Sequence, residues 1–410
     1  MGVRIVHFIK WLRLRDGGTV RAVLDMCAGL ASRGHEVTAL SADDSGVPES
    51  WKAGAALMLP RNLCLRLADP LFERRGRTMD QATRDTLTQY LPKDSMRLAR
   101  QLLKKTDVLH VHGAWANVNH QLISAARSLG VPYVISPHGM LDDWSMAQGA
   151  LKKRLHLALV SGRNLNRARA IHCTAQAERD QAIKWLSPAR ESKGAVTVPL
   201  LFDTAPMLAL PGDALAKAAF AAARSEHPKL LFLSRLNVKK GVEPLLHVAA
   251  RLNQRSPVEI LLAGPADPPE YLAHLQQVAQ SLGISHRVHF LGMVTGDLKW
   301  SLYQAADLFV LPTSQENFGY VLLEALACST PILTTTGVDI WPELEASGGA
   351  TIIRGTGESF IPQLAESLQG LLGDAARLEQ MGRTGREWAL RFLDRETILD
   401  AMEAMYRPIT

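Results

Sequence analysis

The reading of the fold turns on residues 20–41, "VRAVLDMCAGLASRGHEVTALS". Apolar residues recur at three- and four-residue intervals from Val20 to Ala31, the period of a helix that buries one face. Gly34 ends that helix, and Glu36 to Ser41 reads as a short strand. A helix that hands over directly to a strand is the building unit of a parallel sheet covered by helices.

The same unit recurs on both sides. In the first half, residues 3–9, 107–111, 132–136 and 170–174 read as further strands. In the second half, "KLLFLS", "EILLAG", "RVHFLG", "DLFVLP" and "PILTTT" are short buried runs separated by helical segments. Strands alternating with helices predict an α/β chain with parallel sheets covered on both faces. The stretch that starts at Asp203 breaks this rhythm. The expected organisation is therefore an amino-terminal Rossmann-like domain over 1–202, a linker over 203–228, a second Rossmann-like domain over 229–385 and a terminal helix over 386–410. Ligands of such sheets bind in the crevice at the carboxyl ends of the strands, which is where signatures are sought.

Composition narrows the function classes. The chain has 410 residues, 47% hydrophobic and 21% charged, enough for two cores. No uncharged apolar run reaches the roughly 18 residues of a spanning helix, and Met1 to Arg4 leads straight into the first strand. A cytoplasmic protein with reduced cysteines is expected. The formal charge of +6 favours anionic partners. Arginines 61, 66, 74, 75 and 77 cluster, as do Lys152, Lys153, Arg154, Arg163, Arg167 and Arg169. Aromatic residues are not interleaved with them, so nucleic acid is not expected as a partner; the clusters read either as solvated helix faces or as a contact with an anionic membrane surface on the inner face.

Two loops carry the chemistry. In "FLSRLNVKKGVEPLL", Arg235 follows a strand and Lys240 stands five residues on, a positive pair suited to a diphosphate. In "SQENFGYVLLEALACSTP" (314–331), Asn317-Phe318-Gly319-Tyr320 opens an apolar helix. Free backbone N–H groups at such a turn receive phosphate oxygens, and Gly319 permits close approach. Glu316 and Glu324 flank the turn, and neither has a cation three or four residues away. Carboxylates accept hydrogen bonds from hydroxyls, so the pair fits two sugars joined through a diphosphate.

Taken together, these two glutamates, "SRLNVKKG" and the strand end "LAGP" resemble the retaining glycosyltransferases of family 4, which have the GT-B fold: two Rossmann-like domains facing across a crevice, with a terminal helix crossing back. "RDGGTVRAVLDMCAGLASRGHEV", "VLHVHGAW" and "SPHGMLDDW" extend the resemblance over nearly the whole chain, the last toward members that build bacterial surface polysaccharides. The resemblance implies transfer of a sugar from a UDP- or GDP-sugar to a hydroxyl of a saccharide or lipid-linked saccharide. It implies that Arg235 and Lys240 bind the diphosphate and that Glu324 binds the ribose. Glu316 would contact the transferred sugar, with Asn317, Phe318, Gly319 and Tyr320 at the turn. Gly17 and Gly18 would approach the donor phosphate and acceptor, Met293 and Val294 would meet the base, and His138 would contact the donor sugar. No metal and no cofactor are expected, although His110 and His112 share one strand face and Asp142-Asp143 and Asp43-Asp44 are paired carboxylates. One departure stands out. Where the family carries Pro-Asn-Gly, this chain has Pro199-Leu200-Leu201, which makes a left-handed turn unexpected there. A sugar-nucleotide 2-epimerase of the same architecture, or a non-catalytic nucleotide-sugar-binding subunit, are the competing readings.

Overall fold

The computed structural model describes residues 2–12, 18–41, 57–58, 66–67, 89–91, 93–187, 194–254 and 256–407. The chain forms two compact units, Met1–Phe202 with Arg395–Thr410, and Asp203–Asp394.

The first unit is built on strands β1 (Arg4–Ile9), β2 (Glu36–Ser41) and β3 (Leu57–Met58), a short antiparallel pair β4 (Arg66–Leu67) and β5 (Gln89–Tyr90), then β6 (Val108–His112), β7 (Tyr133–Ser136), β8 (Ala170–Cys173) and β9 (Ala195–Thr197). Its main sheet is parallel, in the order β3-β2-β1-β6-β7-β8-β9. The direction of winding reverses between β1 and β6, the switch point at which such sheets bind ligands. Every residue of β6, β7 and β8 is buried. Helix Gly18–Ser32 lays Val20, Val23, Leu24, Cys27 and Leu30 against this sheet.

Leu200 and Leu201 are core residues of this unit, 2% and 1% exposed. A methyl group added at Gly29 would stand 2.6 Å from the Leu201 side chain and 3.0 Å from Leu399, so the glycine makes the room that the two leucines fill. Neither Leu200 nor Leu201 has a positive φ. The final helix, Arg395–Tyr406, buries Ile398, Leu399, Met402, Met405 and Tyr406. Arg33 ties it down through Glu396 at 2.6 Å, Asp400 at 2.5 Å and Glu403 at 3.2 Å.

The second unit carries β10 (Lys229–Leu233), β11 (Glu259–Ala263), β12 (Val288–Gly292), β13 (Leu308–Leu311), β14 (Ile332–Thr335) and β15 (Ala350–Ile353). These are parallel in the order β12-β11-β10-β13-β14-β15, with the reversal between β10 and β13. Two boundaries differ from the sequence reading. Residues 203–228 are part of this unit: Met207, Ala216 and Ala223 are buried, and the Ala216 N–H donates to Ser301 at 2.9 Å. A run rich in alanine looked like a spacer because small apolar residues carry little periodic contrast. The stretch 386–410 is two helices, with Ala375–Phe392 ending in the second unit and Arg395–Tyr406 in the first. Among the described residues, no helix is long and apolar enough to cross a membrane.

Candidate active site

In the second unit the two signature loops leave β10 and β13, the strands on either side of the switch point. They are laced together. Lys239 offers its carbonyl to Ser314 N–H at 2.8 Å and to the Thr313 hydroxyl at 3.0 Å. Gly241 sits at φ 75°, and a Cβ there would lie 2.1 Å from the Pro312 carbonyl oxygen. Only glycine permits that approach, and the approach sets Lys240 beside the turn at Glu316.

Lys240 is 6% exposed, and its ammonium pairs with the Glu316 carboxylate. Glu316 is fixed in turn by backbone bonds to Gly337 and Asp339, at 2.8 and 3.0 Å. Asn317 donates to Asp339 at 3.1 Å, Phe318 is buried, and Gly319, at φ 67°, caps helix Tyr320–Ala327. Arg235 is exposed and paired with Asp267 at 2.7 Å. Glu324, 8% exposed, accepts from Lys299 at 2.7 Å and from the Tyr303 hydroxyl at 3.0 Å. Burial first, and then the Glu324 charge, push the Tyr303 phenol well above its usual pKa, so it remains a donor. Both glutamates therefore have cationic partners after all, brought from elsewhere in the chain and invisible to a helix-spacing rule. Met293 is 69% exposed after β12, whereas Val294 is 6% exposed and turned inward.

The first unit holds a cavity of about 410 Å³ at its own switch point. Lys10 and Trp11 line it after β1, Thr19 and Val20 from helix Gly18–Ser32, His112 at the end of β6, Trp115 after it, and His138 after β7. Gly17 lies outside the described residues; Gly18 begins the helix. His138 has φ 52°, a left-handed conformation that costs a non-glycine residue about 1 kcal/mol or more. The turn is pinned from below by Glu178, a buried carboxylate. It accepts from Gly139 N–H at 2.7 Å, Thr174 N–H at 2.6 Å and the Thr174 hydroxyl at 2.8 Å.

Behind His138 stand four more buried histidines. His112 bonds to His138 at 2.9 Å and to His7 at 3.1 Å; His110 bonds to Tyr406 and to Ser136, each at 2.7 Å. Burial foremost, helped by repulsion among the rings, lowers four of the five: His7 and His138 to about 3, His110 and His112 well below the usual value. His172 is lowered to about 4 by burial, against the opposing effect of its bond to the Val198 carbonyl. His7, His110 and His112 are close enough to share a metal ion. Every ring nitrogen of the three is already in a hydrogen bond, so a metal would have to break several of them. Asp142 caps helix Asp143–Ala147 and Asp143 pairs with Lys184 at 2.6 Å, which explains that acidic pair structurally. Asp43 and Asp44 lie outside the described residues.

Sequence reasoning passed over His7, His172, Ser136, Tyr406, Glu178, Lys299 and Asp267. The available signal was a histidine inside each apolar run "RIVHFI" and "AIHC", but its meaning depends on the strand order. A larger hollow of about 540 Å³ lies beside Pro228, before the amino end of β10, away from all of these groups.

Comparison with known proteins fits this geometry. Residues 216–388 match the family model "Glycosyl transferases group 1" and residues 17–193 match "Glycosyl transferase 4-like domain". The D-inositol 3-phosphate glycosyltransferase of Salinispora tropica is 34% identical over 181 residues, covering 42% of this chain and 36% of its own. The chain thus spans little more than a third of the length of such curated relatives. Glycogen synthase of Mycobacterium tuberculosis is 26% identical over 95% of this chain and 91% of its own. Among solved structures, the Anabaena protein HepE in complex with UDP and glucose superposes with a TM-score of 0.71 at 18% identity, covering 98% of each chain.

Proposed function

The chain belongs to the family 4 glycosyltransferases of GT-B fold, and from that premise we propose that it is a retaining enzyme. In this reading it moves a sugar from a nucleotide-diphosphate sugar to a hydroxyl of a saccharide or lipid-linked saccharide. The observation that carries the reading is the pairing of Lys240 with Glu316 beside the Gly319 helix start. A cation and a helix amino terminus converge at one strand switch point, where they suit a diphosphate. A carboxylate at the same place suits a sugar hydroxyl.

The transition state of such a transfer gathers negative charge on the departing phosphate. Lys240, Arg235 and the N–H groups at Gly319 and Tyr320 are the groups that would stabilise it. Glu324 would hold the ribose, with Lys299 and Tyr303 fixing its orientation. Retention follows from attack on the leaving-group face, with the departing phosphate accepting the acceptor's proton. No metal is assigned a role, and activity is expected to persist after chelation. UDP is the first nucleotide to try, because the Anabaena protein of the same fold was solved with it. A thermal-shift screen of UDP- and GDP-sugars tests the reading, since a ligand of the folded form raises its melting point. Stabilisation by one series is expected; none by any member would sink the proposal.

A role at an anionic membrane, where lipid-linked acceptors reside, is supported by residues 150–167. Leu151, Leu155 and Leu159 are 84%, 57% and 74% exposed at four-residue spacing, with Lys152, Arg154, Arg163 and Arg167 exposed around them. Lys153 and Arg169 are engaged internally, with Ser145 and Tyr406. Arg66 lies in β4, and the other arginines of the 61–77 cluster lie outside the described residues. Salt-sensitive sedimentation with anionic liposomes, lost in Leu155→Asp, is the expected result. Equal binding to neutral liposomes would count against it.

A further inference from the structure

The histidine chain of the first unit has a direction, and the direction can be read from its far end. The Val198 carbonyl can only accept, so His172 carries its proton on Nε2, 2.8 Å away. With the ring neutral, Nδ1 of His172 accepts from the Ser136 hydroxyl at 2.7 Å. Ser136 has then spent its proton and accepts from Nε2–H of His110 at 2.7 Å. Nδ1 of His110 accepts from the Tyr406 hydroxyl at 2.7 Å, which leaves the Tyr406 oxygen to accept from Nε2–H of His7 at 3.4 Å. Nδ1 of His7 accepts from Nε2–H of His112, and Nδ1 of His112 accepts from Nε2–H of His138. Each link fixes the tautomer of the next. The chain ends at Nδ1 of His138, which has no partner among the described residues, on a side chain that lines the cavity.

We propose that this polarised chain holds His138 as its Nε2–H tautomer, so that bare Nδ1 is a hydrogen-bond acceptor for a hydroxyl of a ligand in the cavity. His112, His7, Tyr406, His110, Ser136 and His172 are then positioning residues, acting on the ligand only through His138. A second observation points to the same ligand chemistry. Asn119 lines the cavity and donates both amide protons, to the His112 and Gly113 carbonyls at 3.1 and 2.8 Å. Its Oδ1 is buried without a partner among the described residues, a second waiting acceptor. Trp115, on the same cavity, has a buried Nε1–H donor likewise without a partner among the described residues, so the lining suits a molecule whose hydroxyls both donate and accept. That it is a sugar rests on the glycosyl-transfer reading above; the tautomer assignment does not.

The arrangement also gives the terminal helix Arg395–Tyr406 a part in the site. Tyr406 is the only link of the chain contributed by that helix, and Phe at this position would keep the packing while removing both hydrogen bonds. Long-range proton–nitrogen NMR of the full chain labelled with 15N-histidine reads the tautomers directly, with His138 assigned by its loss in His138→Gln. At pH 7 the wild type is expected to show a protonated Nε2 and a bare Nδ1 at His138. In Tyr406→Phe, His110 and His172 are no longer tied to His138, and the His138 signal is expected to become a mixture of tautomers. The kcat/KM for the sugar donor is expected to fall about ten-fold, one lost hydrogen bond, with affinity for the free nucleotide unchanged. If Tyr406→Phe does not fold, Ser136→Ala cuts the chain nearer its anchor and carries the same prediction for His138. A His138 protonated at Nδ1 or at both nitrogens in the wild type overturns the inference. So does a pure Nε2–H tautomer that survives the cut. Ring spectra do not depend on turnover, so this inference and the glycosyl-transfer reading fail separately.

Discussion

At the scale of single residues, the second unit holds its cations in reserve. Lys240 is paired with Glu316 and Arg235 with Asp267, so an entering diphosphate must compete with carboxylates already in place. The Arg235–Asp267 pair is half-exposed and worth less than about 1 kcal/mol. Asp267→Asn removes the competing charge and keeps an acceptor, and is expected to tighten UDP binding by up to about five-fold. Weaker binding in that variant would show that Asp267 helps the ligand. Gly241 is the other decisive position, because its missing side chain lets Lys240 reach Glu316. Gly241→Ala must leave the left-handed region or displace Pro312, and is expected to cost on the order of 2 kcal/mol of stability, read by urea unfolding. An unchanged midpoint would mean the loops are more yielding than their contacts imply.

Among the elements, the strands were the most legible in sequence. Strands buried on both faces read as unbroken apolar runs, which is why β2 falls at Glu36–Ser41 and β10 at Lys229–Leu233 as the pattern predicts. β9 (AVT) and β15 (ATII) offer too short an apolar run to stand out from their surroundings, and neither is legible as a strand in the sequence. The turn at Gly319 and the loops bearing Arg235 and Lys240 were legible because backbone chemistry there is local. The partners of Glu316 and Glu324 were not, since Lys240 and Lys299 lie 76 and 25 residues away and meet them only through the sheet order. The histidine chain was still less legible: β1, β6, β7, β8 and the last helix must all be in register before His7, His110, His112, Ser136, His172 and Tyr406 touch.

That chain makes a prediction about pH. The folded values of the five histidines lie below the ordinary value of about 6.5. The unfolded chain therefore binds more protons, and stability rises with pH through this range. The contribution is whole above about pH 6.5 and is lost as the pH falls from there toward about 4 and then 3. Between pH 7 and pH 5 the loss is expected to reach several kcal/mol. Chemical unfolding followed at both values checks it, and equal stability would mean that the rings take up protons without leaving the core.

Across the whole molecule, each unit is a sheet of the same kind with its chemistry at its own switch point. In the first, β1 and β6 flank a cavity with waiting acceptors. In the second, β10 and β13 flank a paired lysine and glutamate beside a helix start. Loss of either cation of the second unit, in Arg235→Ala or Lys240→Ala, is expected to raise the barrier to transfer by about 2–4 kcal/mol. Whether the second unit grips a pyrophosphate is decided by calorimetric titration of UDP into the wild type and Lys240→Ala. A single site is expected in the wild type, with affinity weakened at least ten-fold in the variant. Equal affinity in the two proteins would contradict it.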